Sequence, residues 1–401
     1  MERYSEYKDS GVKWLGEIPS HWEVKRLGSF FFERKEKVSD KDYAPLSVTK
    51  QGIFPQLENV AKTNDGDNRK LVKEGDFVIN SRSDRKGSSG VSGLDGSVSL
   101  INIVLQPRKV LFGPFCNYLL KSYGFIEENY RNGRGIVADL WTTRYDEMKM
   151  IKVAMPSFEE QKYISIYLDA ATSKIDKAIA MQQKMIDLLN ERKQIIIQNA
   201  VTKGLDDKVE MKDSGVEWIG MIPKHWEIIK IKHLAKLQSG SNLTSNEISD
   251  TGSYPVYGGN GLRGFYGSYN CEGSYVLIGR QGALCGNINY AEDKFWATEH
   301  AVVCYPKKTY NTLWLGEVLR LMNLGQYSLA SAQPGLAVER IKGLYVPNPS
   351  IEEQNKIALF LKQNIGKIDL YARHCQRQIT LLQERKQIII NEVVTGKVKV
   401  S

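Results

Sequence analysis

A basic stretch rich in serine and glycine stands out in the first half of the chain. Ser81 to Ser92 reads SRSDRKGSSGVS and contains Arg82, Arg85 and Lys86. Arginine can bind the edge of guanine through two hydrogen bonds, lysine and serine can reach phosphates or bases, and glycine lets backbone N–H groups approach a nucleic acid closely. The stretch therefore indicates a nucleic-acid-binding loop, with a solvent-exposed basic loop as the alternative.

Further polar residues favour the same chemistry. Arg134 lies in the cluster RNGRG, just before the first globular region closes. In the second half, Arg263 lies in a tyrosine- and glycine-rich stretch, and Arg280 and Gln281 directly follow a predicted strand. Arg280 thus follows a predicted strand, as Arg82 does in the first half. The candidate binding residues are Arg82, Arg85, Lys86, Arg134, Arg263, Arg280 and Gln281.

The tyrosine-rich stretch also contains a match to a dinucleotide-binding motif. Gly259 to Gly264 satisfies G-x-G-x-x-G, but Phe265-Tyr266-Gly267 follows instead of a helix. A dinucleotide site needs a strand, a turn and a helix N-terminus, so we reject this interpretation. We expect Tyr257, Arg263 and Tyr266 to lie at a loop tip, where they could stack on and hydrogen-bond to bases. Ordinary tyrosine–glycine turns are the alternative.

The cysteines do not form a recognisable framework. Five cysteines without a C-x-x-C pair fit free thiols in a reducing compartment. A zinc site from Cys271, Cys285, His300 and Cys304 is conceivable, but their spacing matches no usual ligand pattern. We expect buried thiols and no metal.

Catalytic motifs are missing from the sequence. It contains neither a G-x-x-x-x-G-K-[ST] phosphate loop nor an Asn or Asp followed by Pro-Pro-aromatic, and its five histidines are scattered. We therefore predict that the chain is not an enzyme and that any catalysis comes from partners.

Composition is that of a folded, water-soluble protein. The 401 residues are 42% hydrophobic and 25% charged, and 55 Lys and Arg against 46 Asp and Glu give a net charge of +9. This length suits two globular domains with connecting helices, and the charge makes an anionic partner plausible. Because no signal sequence and no membrane-spanning run of apolar residues is present, we expect a cytoplasmic protein.

The chain is a tandem repeat. Residues 188–197 read LLNERKQIII and residues 381–390 read LLQERKQIII, with nine of ten positions identical. At the same offset of 193 residues, P-S-F-E-E-Q from Pro156 matches P-S-I-E-E-Q from Pro349, and K-I-D from Lys174 matches K-I-D from Lys367. Each half opens with a related lead-in, residues 8–27 and 212–231, in which twelve of twenty positions agree. The paired tryptophans of the lead-ins predict anchors on a domain face, with base stacking by Trp14 or Trp218 as the alternative.

Each repeat predicts one long helix. After each P-S-x-E-E-Q the apolar residues follow a coiled-coil spacing for about 45 residues. The predicted seams are Ile164, Leu168, Ala171, Ile175, Ala178, Gln182, Met185, Leu189 and Ile196, and Ile357, Leu361, Asn364, Ile368, Tyr371, Cys375, Gln378, Leu382 and Ile389. We expect the two helices to pair antiparallel within the chain and to hold the globular domains at opposite ends, with intermolecular pairing as the alternative.

The predicted fold class is α/β (α+β). Short apolar runs at Asp76–Asn80, Val98–Leu105 and Ser274–Gly279 predict strands. The expected domains are residues 1–155 and 206–348, each with its lead-in arm, and the expected helices are residues 156–205 and 349–401. Outside the lead-ins and helices the two halves align poorly, which suggests two recognition modules on one scaffold.

Together the lead-in K-D-S-G-V-x-W-x-G-x-I-P-x-H-W-E, the helix start P-S-x-E-E-Q and the helix end L-L-x-E-R-K-Q-I-I-I resemble the specificity subunit of type I restriction-modification enzymes, over the full length. The resemblance implies two target-recognition domains that each read one half of a bipartite asymmetric DNA sequence, with the helices setting the spacing. It also implies two modification (methyltransferase) subunits that bind S-adenosylmethionine, and restriction subunits that use ATP and Mg²⁺.

The helix ends are the candidate docking sites for those subunits. Arg192, Lys193, Arg385 and Lys386 occupy equivalent places in the two repeats and are the predicted partner contacts. A plain solvated face is the alternative. Two other functions stay open: a carbohydrate-binding protein or hydrolase, suggested by 20 Tyr and 7 Trp, and a coiled-coil scaffold without DNA binding.

Overall fold

The computed structural model describes residues 2–56, 66–108, 111–135, 141–282, 284–328 and 335–400. The chain divides into two compact units, the first formed by Met1–Gln183 with Arg377–Ser401 and the second by Lys184–Gln376. Both units combine short strands with helices, and both contain part of each of two long helices. The predicted mixed architecture is confirmed.

The first unit is built on a four-stranded antiparallel sheet with the order β10-β9-β12-β4. The unit also contains a three-stranded sheet, β11-β8-β5, and three two-stranded pairs, β1-β2, β6-β7 and β3-β13. The strands are β1 (Tyr7–Asp9), β2 (Glu17–Pro19), β3 (Glu23–Arg26), β4 (Phe31–Glu33), β5 (Lys37–Val38), β6 (Leu46–Val48), β7 (Ile53–Pro55), β8 (Arg69–Val72), β9 (Phe77–Asn80), β10 (Ser89–Val91), β11 (Gly96–Val98), β12 (Asn102–Pro107) and β13 (Lys152–Met155). The helices are α1 (Gly113–Leu120), α2 (Tyr123–Arg131), α3 (Tyr145–Met148) and the first part of α4 (Phe158–Lys203).

The second unit has a four-stranded antiparallel sheet with the order β17-β24-β21-β22. A second sheet has the order β19-β18-β23-β20, and β14-β15 and β16-β25 form pairs. The strands are β14 (Met211–Asp213), β15 (Met221–Pro223), β16 (Glu227–Lys230), β17 (Ala235–Ser239), β18 (Tyr254–Gly258), β19 (Gly261–Tyr266), β20 (Cys271–Glu272), β21 (Tyr275–Gly279), β22 (Ile288–Ala291), β23 (Lys294–Ala297), β24 (Ala301–Pro306) and β25 (Tyr345–Asn348). The helices are α5 (Ile231–Leu234), α6 (Thr312–Leu321), α7 (Val338–Lys342) and α8 (Ile351–Val394), whose last part belongs to the first unit.

Two of the three predicted strands are confirmed by β9 and β21. The run from Val98 to Leu105 is instead divided between β11 and β12. The Asn102 N–H donates to the Ser99 carbonyl oxygen over 3.0 Å and closes a turn, so the chain reverses inside the apolar run. Apolar character alone did not reveal the turn.

The lead-in arms are held by the start of the long helices. In the first unit, Trp22 is fully buried and its Nε1–H donates to Glu160 Oε1 over 3.1 Å, while His21 Nε2 lies 3.1 Å from Glu160 Oε2. The second unit repeats this arrangement with Trp226, His225 and Glu353, at 2.9 and 2.8 Å. The predicted anchoring role of the lead-in tryptophans is confirmed. Trp14 agrees with it, since its Nε1–H donates to the Lys152 carbonyl oxygen.

The glutamine that follows each of these glutamates fixes the globular body. Gln161 Oε1 accepts from the Phe112 N–H, immediately before α1, and Gln354 Oε1 accepts from the Asn311 N–H, immediately before α6, both over 2.9 Å. The amide groups of the two glutamines donate to the carbonyl oxygens of Pro156 and Pro349. One short motif thus binds both the arm and the body of each unit.

The ends of the long helices pack on the same tryptophans. Gly204 follows α4 with φ +77°, and Gly396 follows α8 with φ +74°, a conformation that favours glycine. A Cβ atom on Gly396 would lie 2.3 Å from Pro19 and 3.2 Å from Trp22, and one on Gly204 would lie 3.2 Å from Trp226. Each arm therefore contacts the start of one long helix and the end of the other.

The long helices pair antiparallel inside each unit. In the first unit, Lys386 Nζ of α8 binds both carboxylate oxygens of Asp176 in α4 at 2.7 Å. In the second unit, Lys193 Nζ of α4 binds Asp369 of α8 at 2.8 and 3.1 Å. The predicted pairing within the chain is confirmed. No helix in the described ranges is long and apolar enough to cross a membrane.

The predicted seam loses its phase midway along each helix. Met185, Tyr371 and Gln378 are exposed, whereas the residues after them, Ile186, Ala372 and Ile379, are half-buried or buried. An α-helix with 3.6 residues per turn drifts relative to a strict seven-residue repeat. Because the two helices follow the helix period, the residues that contact the opposite helix shift by one position along the sequence.

The Glu353 carboxylate gives a stability prediction. Burial raises its pKa, but hydrogen bonds from Trp226, His225 and Ser350 outweigh burial and lower the pKa from 4.5 to about 2. The folded state therefore gains stability from this group above about pH 4.5 and loses it as the pH falls towards 2. We expect Glu353→Gln to lower the free energy of unfolding at neutral pH by about 1–3 kcal/mol.

Urea unfolding at about pH 7 and about pH 2.5 tests this prediction. The deficit of the Glu353→Gln variant should shrink at the lower pH, where the wild type loses the same interaction. Glu352→Gln, at the exposed neighbouring position, is the control and should have little effect. An equal deficit at both pH values would contradict the assigned role.

Candidate DNA interface

Each globular body contains a four-stranded sheet of the same topology, although the two sequences do not reveal this similarity. Both sheets are antiparallel, and the strands β4-β12-β9-β10 of the first correspond in order to β17-β24-β21-β22 of the second. A helix follows the second strand of each sheet, α1 after β12 and α6 after β24. The bodies differ in sequence but keep one topology.

Backbone hydrogen bonds align the two bodies residue by residue. Asn80 pairs with Asn102 as Gly279 pairs with Ala301. One residue further on, the equivalent N–H groups donate to equivalent carbonyl oxygens: Ser81 to Ile101 (3.2 Å), Arg280 to His300 (2.8 Å), Thr143 to Ser81 (3.0 Å) and Leu336 to Arg280 (2.9 Å). Bridges join Arg82 to Thr142 and Gln281 to Gly335. The counterpart of Arg82 is therefore Gln281, and Arg280 corresponds to Ser81, although both arginines follow a strand as predicted.

These positions define one surface in each unit, which we call the strand-end surface. It comprises Ser81, Arg82, Leu100, Ile101 and Thr142 in the first unit, and Arg280, Gln281, Glu299, His300 and Gly335 in the second. Sequence reasoning missed Leu100, Ile101 and Glu299, and it considered His300 only as a zinc ligand. In the sequence they are marked only by their position directly before a strand, β12 or β24. That strand pairs with β9 or β21, which ends just before the candidate arginine.

The first unit brings Arg82 and Arg134 together. Both are exposed, and both bridge to Thr142 through the backbone, Arg82 on one side and Arg134 on the other. Arg134 is 83% exposed, with Nε 3.4 Å from Glu147 Oε1. Two cationic side chains therefore border one short segment of backbone.

The other two basic residues of the predicted loop differ from each other. Arg85 is 67% exposed and lies 3.7 Å from Asp84. Lys86 Nζ instead binds Glu127 Oε1 at 2.7 Å and lies 4.4 Å from the centre of the Tyr130 ring. Lys86 thus ties the loop to α2, while Arg85 stays open to solvent.

The second unit brings Arg263, Gln281 and His300 to one concave surface. They line an open depression of about 580 Å³ together with Asn260 and Leu262. Arg263 and Gln281 are exposed, whereas Arg280 is half-buried and donates from Nη1 to Ser239 Oγ of the neighbouring strand over 3.3 Å. Arg280 therefore braces the sheet more than it faces solvent.

The expected tyrosine loop tip is wrong. Tyr257 lies in β18 and packs edge-on against Phe295, and Tyr266 lies in β19 and packs against Trp296, with centroid distances of 5.6 and 5.2 Å. The glycine-rich sequence between them forms the turn of the β18–β19 hairpin rather than a strand–helix junction. The rejection of a dinucleotide site agrees with this topology.

The cysteines lie in separate environments. Cys271 Sγ lies 3.2 Å from the Tyr305 hydroxyl, and Cys285 Sγ donates to the Arg280 carbonyl oxygen over 3.5 Å. Burial raises the pKa of the Cys304 thiol to about 12. The described parts of the chain contain no group of three or more His, Cys, Asp or Glu side chains arranged to hold a metal ion.

The repeated L-L-x-E-R-K-Q-I-I-I has an inner and an outer face. On the inner face, Lys193 and Lys386 bind the opposite helix, so the partner contacts predicted for these two lysines compete with ion pairs inside the chain. The outer face is exposed in both copies and carries Leu188, Arg192 and Ile195 in the second unit, and Leu381, Arg385 and Ile388 in the first.

Comparisons with known proteins agree on one family. A family model described as the type I restriction modification DNA specificity domain matches residues 223–381. The type I restriction enzyme EcoprrI specificity subunit of Escherichia coli is 38% identical over 161 residues, 38% of this chain and 40% of that protein. The MjaVIII specificity subunit of Methanocaldococcus jannaschii is 28% identical over 61% of this chain and 57% of its own. These two alignments thus span about half the length of the relatives.

Longer but weaker similarities cover nearly the whole chain. A putative MjaX specificity subunit of Methanocaldococcus jannaschii is 24% identical over 98% of both chains. A solved structure titled for the assembly and conformational transition of the type I R-M system has a TM-score of 0.74 at 14% identity, covering 95% of this chain and 99% of that one. The HsdS subunit from Thermoanaerobacter tengcongensis has a TM-score of 0.54 at 15% identity, covering 97% and 100%. At these identities the two structures support the fold alone.

The different environments of Lys86 and Arg85 give a local stability prediction. Lys86→Met keeps the aliphatic stem but removes the charge that binds Glu127 and Tyr130, so we expect α2 to open more easily by about 0.5–1 kcal/mol. Amide hydrogen exchange of α2 peptides measures this change. Arg85→Met is the matched control and should leave α2 protection unchanged; similar exchange in both variants would contradict the assignment.

Proposed function

We propose that this chain, which belongs to the family of type I restriction enzyme specificity subunits, selects the DNA sequence on which a type I restriction-modification complex acts. Each globular body binds one half of a bipartite, asymmetric target. The long helices set the distance between the half-sites and dock the modification subunits.

One observation carries this proposal. The two strand-end surfaces occupy equivalent backbone positions but differ in side chains, with Ser81 and Arg82 in one and Arg280 and Gln281 in the other. Base edges in the major groove differ in their donors, acceptors and methyl groups. One backbone frame with different side chains is therefore suited to reading two different short sequences.

The chemistry of the exposed residues is suited to duplex DNA. Arg82, Arg134 and Arg263 can bind phosphates or the O6 and N7 atoms of guanine, and Gln281 can bind the N6 and N7 atoms of adenine. The net charge of +9 adds affinity that does not depend on sequence and weakens with salt.

The proposal assigns catalysis to partner subunits. Two modification subunits bind S-adenosylmethionine and methylate the target, and restriction subunits use ATP and Mg²⁺ for movement and cleavage. This chain contributes recognition and assembly only.

The outer face of the repeated helix motif is the proposed docking site for the modification subunits. Leu188 and Ile195 are 50% and 51% exposed on either side of Arg192, and Leu381 and Ile388 are 45% and 56% exposed on either side of Arg385. Apolar residues that flank an arginine are typical of the centre of a protein interface. One such face per repeat suits two copies of one partner.

Selection from a random duplex library, with modification subunits present, tests the recognition function. We expect enrichment of a two-part motif with a fixed gap. Arg82→Ala should relax base preference in one part only and Gln281→Ala in the other part only, each at a cost of about 1–3 kcal/mol. Arg26→Ala, an exposed arginine on the scaffold strand β3, is the control. Enrichment of only ungapped, single-part motifs would overturn the proposal.

The stoichiometry of the complex tests the docking site. Ile195→Asp should weaken binding of one modification subunit at least tenfold, because a carboxylate would be buried in an apolar contact. The variant should form a complex with one modification subunit instead of two, and adding Ile388→Asp should remove the second, as measured by light scattering after gel filtration. Gln194→Asp, at the exposed adjacent position, is the control. If the double variant still bound two modification subunits, this face could not be their docking site.

A further inference from the structure

We propose that the turn Ser99–Asn102 is a base-reading element, and that Leu100 and Ile101 contact the 5-methyl group of a thymine in the half-site of the first unit. This inference rests on the proposed function and identifies a recognition group that contains no charged side chain. Thymine carries the one methyl group among the four bases in the major groove, and apolar side chains recognise it by contact.

The turn is rigidly built and tied to the residue before Arg82. The Asn102 N–H donates to the Ser99 carbonyl oxygen over 3.0 Å, and Asn102 Nδ2 donates to Ser99 Oγ over 3.0 Å. The Ile101 carbonyl oxygen accepts from both the N–H of Ser81 (3.2 Å) and its Oγ–H (2.6 Å). The apolar pair is therefore held at a fixed place on the same surface as Arg82.

Exposure of this pair is not explained by packing within the first unit. Leu100 is 41% exposed and Ile101 is 38% exposed, although the first four residues of β12, which follow them directly, are buried. A single exposed apolar side chain is ordinary on a protein surface. Leu100 and Ile101 are instead two adjacent apolar side chains, held by a hydrogen-bonded turn beside the exposed Arg82. This small apolar surface next to a cation suits contact with a methyl group in the groove of a polyanion.

The equivalent turn of the second unit has a different chemistry. The Ala301 N–H closes it by donating to the Thr298 carbonyl oxygen over 2.9 Å, and it presents Glu299 and His300 in place of Leu100 and Ile101. His300 Nε2 lies 2.9 Å from Glu299 Oε1, and His300 borders the depression that contains Arg263 and Gln281. The backbone of the turn is kept while its side chains change from apolar to polar, as expected for a specificity determinant and not for a part of the core.

Replacement of thymine by deoxyuridine tests the contact, because uracil pairs like thymine but lacks the 5-methyl group. Using the selected two-part duplex, each thymine of the first unit's half-site, on either strand, is replaced in turn. We expect wild-type affinity to fall about threefold to tenfold at one position, since about one buried methyl group is lost. Ile101→Ala and Leu100→Ala should bind the thymine duplex correspondingly more weakly and should no longer distinguish it from the deoxyuridine duplex.

Two controls separate this contact from general effects. Leu94→Ala removes an equally exposed leucine, at 41%, from the turn between β10 and β11 and should keep the wild-type discrimination. Deoxyuridine in the other half-site should give the same affinities for wild type and for the two turn variants.

The outcomes distinguish the two proposals. Turn variants that discriminate as well as the wild type, or a half-site without a thymine whose methyl group matters, would overturn the methyl contact and leave the recognition function intact. Failure of the wild type to select any two-part sequence would instead overturn the proposed function, and the methyl contact with it.

Discussion

Each unit depends on one carboxylate at the start of a long helix. Glu160 and Glu353 accept hydrogen bonds from the buried indoles of Trp22 and Trp226. A charged acceptor makes such bonds roughly twice as strong as neutral ones, and a buried indole N–H without a partner is costly. The next residue, a glutamine, binds the backbone ahead of α1 or α6. The arm, the long helix and the globular body therefore meet at two adjacent side chains, which explains why that short motif occurs in both halves.

The repeated L-L-x-E-R-K-Q-I-I-I is explained by two faces that use different residues. Lys193 and Lys386 reach across to Asp369 and Asp176, the last residues of the repeated K-I-D. Exchanging the two repeats therefore converts the first ion pair into the second. These pairs are partly exposed and add modest stability, but they fix which side chains oppose each other. The outer residues take no part in this pairing and form the proposed docking face.

The sequence predicted the scaffold well because repetition carries the information. The long helices, their antiparallel pairing and the anchoring tryptophans all follow from residues that recur, at an offset of 193 residues in the helices and of 204 in the lead-ins. The ion pairs of Lys193 and Lys386 could have been predicted too, since both the lysines and their aspartates recur at 193 residues. The seam was misplaced at Met185 and Tyr371, because a coiled-coil spacing was extended beyond the stretch in which it matches the helix period.

The candidate site was less predictable for a physical reason. Strand order and register are set by backbone hydrogen bonds and by which side chains are buried, and many sequences satisfy both. The equivalence of Ser81 with Arg280 is therefore visible in N–H to carbonyl bonds and invisible in the residues themselves. The same independence suits the architecture to the proposed recognition. Side chains at the ends of β9 and β21 and on the adjoining turns can change without altering the bonds that hold them. Under the proposed function, recognition can therefore diverge between the two halves while the helices, the arms and the proposed docking faces stay alike.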